Sequence, residues 1–163
     1  MPEVVCDVDI TELVRRIIEE REEAIRDKGI KLYVDRDLGT VTANPAHVYQ
    51  VFANIIGNAI NHNESVNPAI TVSRLGQGDG GGTTFLIRDN GSGIPPEHLD
   101  RVFEPFYKGA GGTSGLGLAI VKNIVTVYDG DVRAYNDDGA CFEFSLPAYA
   151  FHGRTKEPIG LAG

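Results

Sequence analysis

Apolar side chains return at Ile10, Leu13, Val14, Ile17, Ile18 and Ile25, with charged residues filling the positions between them. Returns at three and four predict an amphipathic helix over residues 11–28, closed by Gly29. The next stretch, IKLYVDRD, alternates and predicts a strand. NPAH opens a second helix, with Pro45 in its first turn, which is expected to run to about residue 63. AITVSRL and TTFLIRD read as two strands joined by GQGDGGG. IPPEHLD suggests a short helix, and residues 103–114 a loop. A mostly apolar helix follows over residues 115–128, with Leu116, Leu118, Ile120, Val121, Ile124 and Val125 expected in the core and Gly130 as its stop. DVRAYND and ACFEFSLP form a closing hairpin around Asp137-Asp138-Gly139. Tight hairpins between strands imply a mixed sheet, and the helices would cover one face of it. The expected fold is a two-layer α/β sandwich occupying residues 1–147, with residues 148–163 a poorly ordered tail.

Composition narrows the function without choosing it. The chain of 163 residues is long enough for one domain with its own core. Its net charge of −8 argues against nucleic acid and against anionic membrane surfaces as partners. An anionic small ligand is still compatible, because backbone amides and a metal ion can bind it locally. Cys6 and Cys141 lie in no metal-type spacing and read as free thiols in a reducing compartment. No apolar run is long enough to span a bilayer, and no signal peptide opens the sequence. A cytoplasmic domain is expected, which leaves room for the cytosolic part of a membrane-anchored receptor.

The second helix carries an unusual polar face. In HVYQVFANIIGNAINH, the residues Val48, Val51, Phe52, Ile55, Ile56 and Ala59 make an apolar stripe. Gln50, Asn54, Asn58 and Asn61 gather on the other side, at spacings of four, four and three. A solvated face is usually built from Lys, Glu and Arg, whereas each Asn costs about half a kcal/mol or more relative to Ala, and Gly57 more again. Carboxamides offer a neutral oxygen suited to a hard cation such as Mg²⁺ and an amide donor for phosphate oxygens. A stripe facing a ligand accounts for this composition better than a solvated face.

Two glycine-rich stretches follow. DNGSGIP is strong turn chemistry, and alone it would be only a turn. With a ligand nearby, Gly91 and Gly93 allow close approach to the backbone, and Asp89 can accept a hydrogen bond from an amino group such as that of adenine. Gly111, Gly112, Gly115 and Gly117 cluster around a helix start, where free amides bind phosphate without a lysine. Gly76, Gly78 and Gly81 also satisfy G-x-G-x-x-G, but they lie between strands and open no helix, so they are hairpin glycines.

Taken in order, these segments resemble the ATP-binding catalytic domain of sensor histidine kinases, in the family of gyrase, Hsp90 and MutL-type ATPases. QVFANIIGNAINHN is similar to the N box, IRDNGSGIPPEHLDRVFEPFYKG to the G1 box running into the F box, and GTSGLGLAIVKNIV to the G2 box. The likeness extends from about residue 8 to residue 147. It implies ATP and Mg²⁺ as cofactors. Asn58 would be the metal ligand, with Asn54 lining the site one turn earlier. Asp89 would read the adenine amino group in a pocket shaped by Gly91, Gly93 and Ile94. Phe103 and Phe106 would anchor the base of an ATP lid, and Lys108 would stand near the terminal phosphate. Asn54, Asn58 and Lys108 are thereby the implied catalytic set. Asn61, His62, Tyr107, Thr113, Ser114, Gly115, Leu116, Gly117 and Leu118 complete the implied ATP contacts.

The sequence departs from the family pattern at several places. Members often carry Lys three residues after the metal asparagine, followed by Tyr; here those positions are Asn61 and His62. Thr113 replaces the first glycine of G-x-G-L-G-L, and the lid between Lys108 and Gly115 is short. Hydrolytic relatives place Glu where Asn54 stands, which favours phosphoryl transfer over hydrolysis. His47, His62, His98 and His152 all lack the setting of a phosphoacceptor, so the resemblance implies a partner dimerisation domain carrying the acceptor histidine, and a response regulator beyond it. Two rival readings stay open: a serine kinase of the anti-sigma type, and a nucleotide-binding module without transfer activity.

Overall fold

The computed structural model describes residues 5–77, 82–105, 107 and 117–148. Strand β1 (Cys6–Asp9) leads into helix α1 (Ile10–Glu20), where the Asp9 side chain accepts from the Glu12 amide at 3.2 Å and caps the start. Ile10, Leu13, Val14 and Ile17 are buried along one stripe. The helix expected over residues 11–28 is broken at Arg21 (φ −108°, ψ 17°), and α2 (Glu22–Lys28) continues beyond it. Charged residues on both sides of this break gave the sequence no sign of it. Gly29 at φ +68° ends α2, with the Ile30 amide returning to the Ile25 carbonyl at 3.0 Å.

Next come β2 (Lys31–Val34), β3 (Thr40–Ala43) and the long helix α3 (Pro45–His62). Asn44 caps α3 by accepting from the Ala46 amide at 2.9 Å, and Pro45 occupies the first turn, where its missing N–H is not needed. Then follow β4 (Ala69–Gln77), β5 (Gly82–Asp89), a single 3₁₀ turn (Pro96–His98), α4 (Gly117–Val127), β6 (Val132–Asn136) and β7 (Ala140–Pro147). A five-stranded sheet runs β2-β4-β5-β7-β6; β2 and β4 are parallel and the other neighbours antiparallel. The expected mixed-sheet α/β architecture is therefore what forms. A second, two-stranded ribbon of β1 and β3 was not anticipated. Each of its strands is four residues long, too short for alternation to declare itself.

Inward-facing residues of the sheet meet the helices in one core. Phe52 of α3 stands edge-on to Phe85 of β5 and Phe144 of β7, at centroid distances of 5.3 and 5.1 Å. From α4, Ala119, Val121, Ile124 and Val125 are buried. Leu118 and Ile120, expected in the core, are only partly buried and pack at its edge, and Leu116 lies outside the described residues. Tyr128, just past α4, accepts from the Asn44 amide at 2.9 Å and bonds His47 Nδ1 at 2.9 Å, which pins the start of α3. Gly76, at φ +133°, sits at a register shift in the β4–β5 hairpin, as expected of a hairpin glycine; Gly78 and Gly81 lie outside the described residues, as do residues 149–163 of the predicted tail.

Candidate nucleotide site

Helix α3 presents the carboxamides as the spacing predicted. Asn54 and Asn58 are half-buried, and Asn61 is exposed. Asn54 Nδ2 donates to the Gln50 carbonyl one turn back at 2.8 Å, which fixes the amide group and leaves Oδ1 as an acceptor. That Oδ1 lies 2.9 Å from where a Cβ on Gly117 would stand, so a glycine there lets the start of α4 close down on the asparagine stripe. Asn58 makes no hydrogen bond among the described residues. A half-buried carboxamide in mid-helix with both its groups unused is what a site for a polar ligand requires.

Across from α3, β5 ends in Asp89, which is only 6% exposed. Its Oδ1 accepts from the Gly91 amide at 2.9 Å and the Ala140 amide at 3.1 Å. Two backbone donors thus fix the carboxylate, and its second oxygen has no hydrogen bond among the described residues. Gly139, at φ +136°, allows the β6–β7 turn to press on this spot: a Cβ there would lie 2.0 Å from the Asp89 carbonyl oxygen. Gly91 packs against Asn63, and Gly93 takes φ +85°.

Three residues that sequence reasoning did not single out hold this turn. Asn136, at the end of β6, accepts from the Ile94 amide at 2.8 Å and donates to the Ile94 carbonyl at 2.7 Å, as a neighbouring strand would. Asn90 Oδ1 receives the Asn63 amide group at 2.9 Å and the Ala69 amide at 2.8 Å, while its Nδ2 donates to the Asn67 carbonyl at 2.9 Å. Asn63, buried at the end of α3, reaches the Ala69 carbonyl at 3.1 Å. The asparagines flanking turns carried a signal, but turn propensity explained them without any tertiary partner. An open groove of about 710 Å³ borders the outer side of the same turn, between residues 91–96 and the β6–β7 hairpin; no α3 residue lines it.

His62 is half-buried beside this carboxylate. Its pKa is lowered, chiefly by desolvation and further by the charge of Lys28, against the opposing charges of Asp89 and Glu64. Lys28 itself donates to the carbonyls of Ile60 (2.8 Å) and Asn61 (3.3 Å) and so caps α3 from α2. Phe103 stacks edge-on to Phe142 at 6.2 Å. Tyr107 stacks edge-on to His98 at 5.6 Å, and His98 Nδ1 and the Tyr107 hydroxyl are both buried with no hydrogen-bond partner among the described residues. His98 is half-buried. Phe106, Lys108, Thr113, Ser114, Gly115 and Leu116 lie outside the described residues.

Residues 43–150 match the model of the family described as histidine kinase-, DNA gyrase B-, and HSP90-like ATPases. The chain belongs to this family. The sensor protein CreC of Escherichia coli (strain K12) is 36% identical over 137 residues, spanning 82% of this chain and 28% of CreC. The catalytic domain of histidine kinase ThkA, solved nucleotide-free, superposes with a TM-score of 0.77 at 26% identity, covering 89% of this chain and 96% of that one. Full-length ShkA, solved in complex with AMPPNP, gives a TM-score of 0.76 at 32% identity over 90% of this chain and 32% of its own. The chain spans under two-fifths of the length of the curated relatives that match it most strongly. As a family of ATPases, this one has ATP as its nucleotide. The asparagine stripe, the buried aspartate and the glycines around them all fall inside the matched residues.

Proposed function

We propose that the chain is the Mg-ATP-binding catalytic domain of a two-component sensor histidine kinase, working in the cytosol. It donates the ATP γ-phosphate to a histidine on a dimerisation domain outside this sequence, from which a response regulator takes it. The observation that carries the reading is Asp89: a buried carboxylate with one oxygen locked by two amides and the other, which has no hydrogen bond among the described residues, able to accept from a purine amino group. The AMPPNP held by ShkA supports the same ligand class here.

Asn58 then holds Mg²⁺ through its carboxamide oxygen, with Asn54 beside it. The donor set fits that ion. Among the described residues no group of three or more His, Cys, Asp or Glu side chains could cage a metal, and Mg²⁺ is commonly held by few protein ligands with phosphates and water completing its shell. Bound there, the ion neutralises phosphate charge. The protein's own part is to orient the triphosphate and exclude competing geometries, which suits phosphoryl transfer. Asn54 cannot serve as a general base for water, which favours transfer over hydrolysis. His47 is tied to Tyr128 and His98 is half-buried against Tyr107, which supports an acceptor on another domain.

The test has two stages. Calorimetric titration with Mg-ATP is expected to show binding that falls at least tenfold or so in Asn58→Ala and in Asp89→Ala. Labelled ATP is then added to the chain together with a separately made dimerisation domain, and acid-labile label on that domain is the expected outcome. Binding without any labelled histidine would favour a nucleotide-binding module that transfers nothing.

A further inference from the structure

The asparagine stripe is neutral, yet the ligand proposed for it carries several negative charges. Where the compensating cation sits is not visible in the stripe itself, because Asn54, Asn58 and Asn61 bring none. The break between α1 and α2 supplies one. Gly57 stands three residues after Asn54 and four before Asn61, so it shares their side of α3. The guanidinium of Arg21 lies flat in the space its missing side chain leaves: a Cβ on Gly57 would be 2.8 Å from Arg21 Nη2, 3.1 Å from Nη1 and 3.2 Å from Cζ.

That guanidinium has no hydrogen bond or ion pair among the described residues. The carboxylates next to it in sequence are engaged elsewhere: Glu20 receives the Tyr49 hydroxyl, and Glu22 faces Arg26. Lys28 adds a second positive charge on the last turn of the same helix. A glycine inside a helix costs about 1 kcal/mol relative to alanine. Here that glycine seats a planar cation with five donors, still unpaired, against the helix that carries the metal-binding carboxamides.

We propose that Arg21 is a phosphate-binding residue of this site, seated on Gly57 so that its free N–H groups take oxygens of the terminal phosphates of the nucleotide. This rests on the Mg-ATP reading of the cleft. The α1–α2 break falls at this same residue, whose amide still bonds the Ile17 and Ile18 carbonyls at 3.1 Å, so the chain changes direction where the guanidinium is seated.

Calorimetric titration of Mg-ATP, Mg-ADP and adenosine into the full chain tests this, with Arg21→Ala, Arg21→Lys, Gly57→Ala and Asn58→Ala compared. Arg21→Ala is expected to weaken Mg-ATP about tenfold and leave adenosine unchanged, and Arg21→Lys to recover part of the loss. Gly57→Ala is the sharper variant. Its new methyl displaces the guanidinium, so Mg-ATP binding falls as in Arg21→Ala, while the melting temperature rises because alanine suits the helix better. Retention of Mg-ATP affinity within about twofold in Arg21→Ala overturns the proposal, as does an equal loss for ATP and adenosine, which would mark a structural role. If Asn58→Ala also leaves Mg-ATP untouched, the reading of the cleft falls first, and this proposal with it.

Discussion

Replacing Asn136 by alanine removes both hydrogen bonds that hold Ile94, the donor at 2.8 Å and the acceptor at 2.7 Å. Ile94 is 6% exposed, so its backbone groups are partly shut off from water. Each bond contributes about 1 kcal/mol net, and a buried group left unpaired costs about 1–3 kcal/mol, which puts the total near 2–4 kcal/mol. For a domain of this size the melting temperature should fall by about 5–12 °C. The loss should also reach the nucleotide, because Ile94 closes the turn that begins at Asp89. Urea denaturation gives the stability change, and Mg-ATP titration of the folded variant gives the binding change. Asn136→Asp sharpens the test: it keeps the acceptor for the Ile94 amide but sets a carboxylate against the Ile94 carbonyl. At neutral pH it should be no more stable than Asn136→Ala, and it should regain stability as acid protonates the carboxyl and restores a donor. A melting temperature within about 1 °C of wild type for Asn136→Ala would refute the clamp. A loss of stability with unchanged Mg-ATP affinity would refute its link to the site.

Three further outcomes follow from the same geometry. Asp89→Asn keeps an oxygen for the Gly91 and Ala140 amides but turns the acceptor proposed for the purine into a donor; the fold should survive, and competition titrations should show preference moving from ATP toward GTP, whose base would present a carbonyl there. His62 has its folded pKa below the unfolded value of about 6.5, so its contribution to stability is complete above that pH and is lost as pH falls toward the lower folded pKa. Denaturation midpoints should therefore drop between pH 7.5 and acid for wild type, and drop less for His62→Gln. Gly139→Ala forces a side chain into φ +136° and into the Asp89 backbone, and should destabilise by about 3 kcal/mol or more in urea denaturation.

Much of the fold was legible in local pattern. The stripe from Val48 to Ala59, with Asn44 and Pro45 at its start, specified α3 within a residue or two of its true limits. Alternation in TTFLIRD placed β5 and carried Asp89 to its end, buried side inward. The asparagines proposed to face the nucleotide were visible because they violate helix propensity with no local reward. What escaped notice had a local explanation available. Asn90 and Asn136 sit beside turns, where asparagine is expected in any case, so nothing in their neighbourhood announced the Ala69 and Ile94 backbones they bind. Gly57 looked like one more unfavourable residue in a helix. Arg21 looked like one charge among many on the exposed face of a single long helix.

The sequence by itself determined the period of each element, and with it which face of each is apolar, because those depend on residues at most four positions apart. It also determined the residue types offered for chemistry: neutral carboxamides on one helix, a carboxylate at the end of one strand, glycines where backbone must come close. The tertiary structure alone decided which of these meet. Arg21 reaches Gly57 across 36 positions of chain, Asn136 reaches Ile94 across 42, and Asp89 receives the Ala140 amide across 51. Such contacts arise from the order of strands in the sheet and the packing of helices on it, and local periodicity carries no term for either.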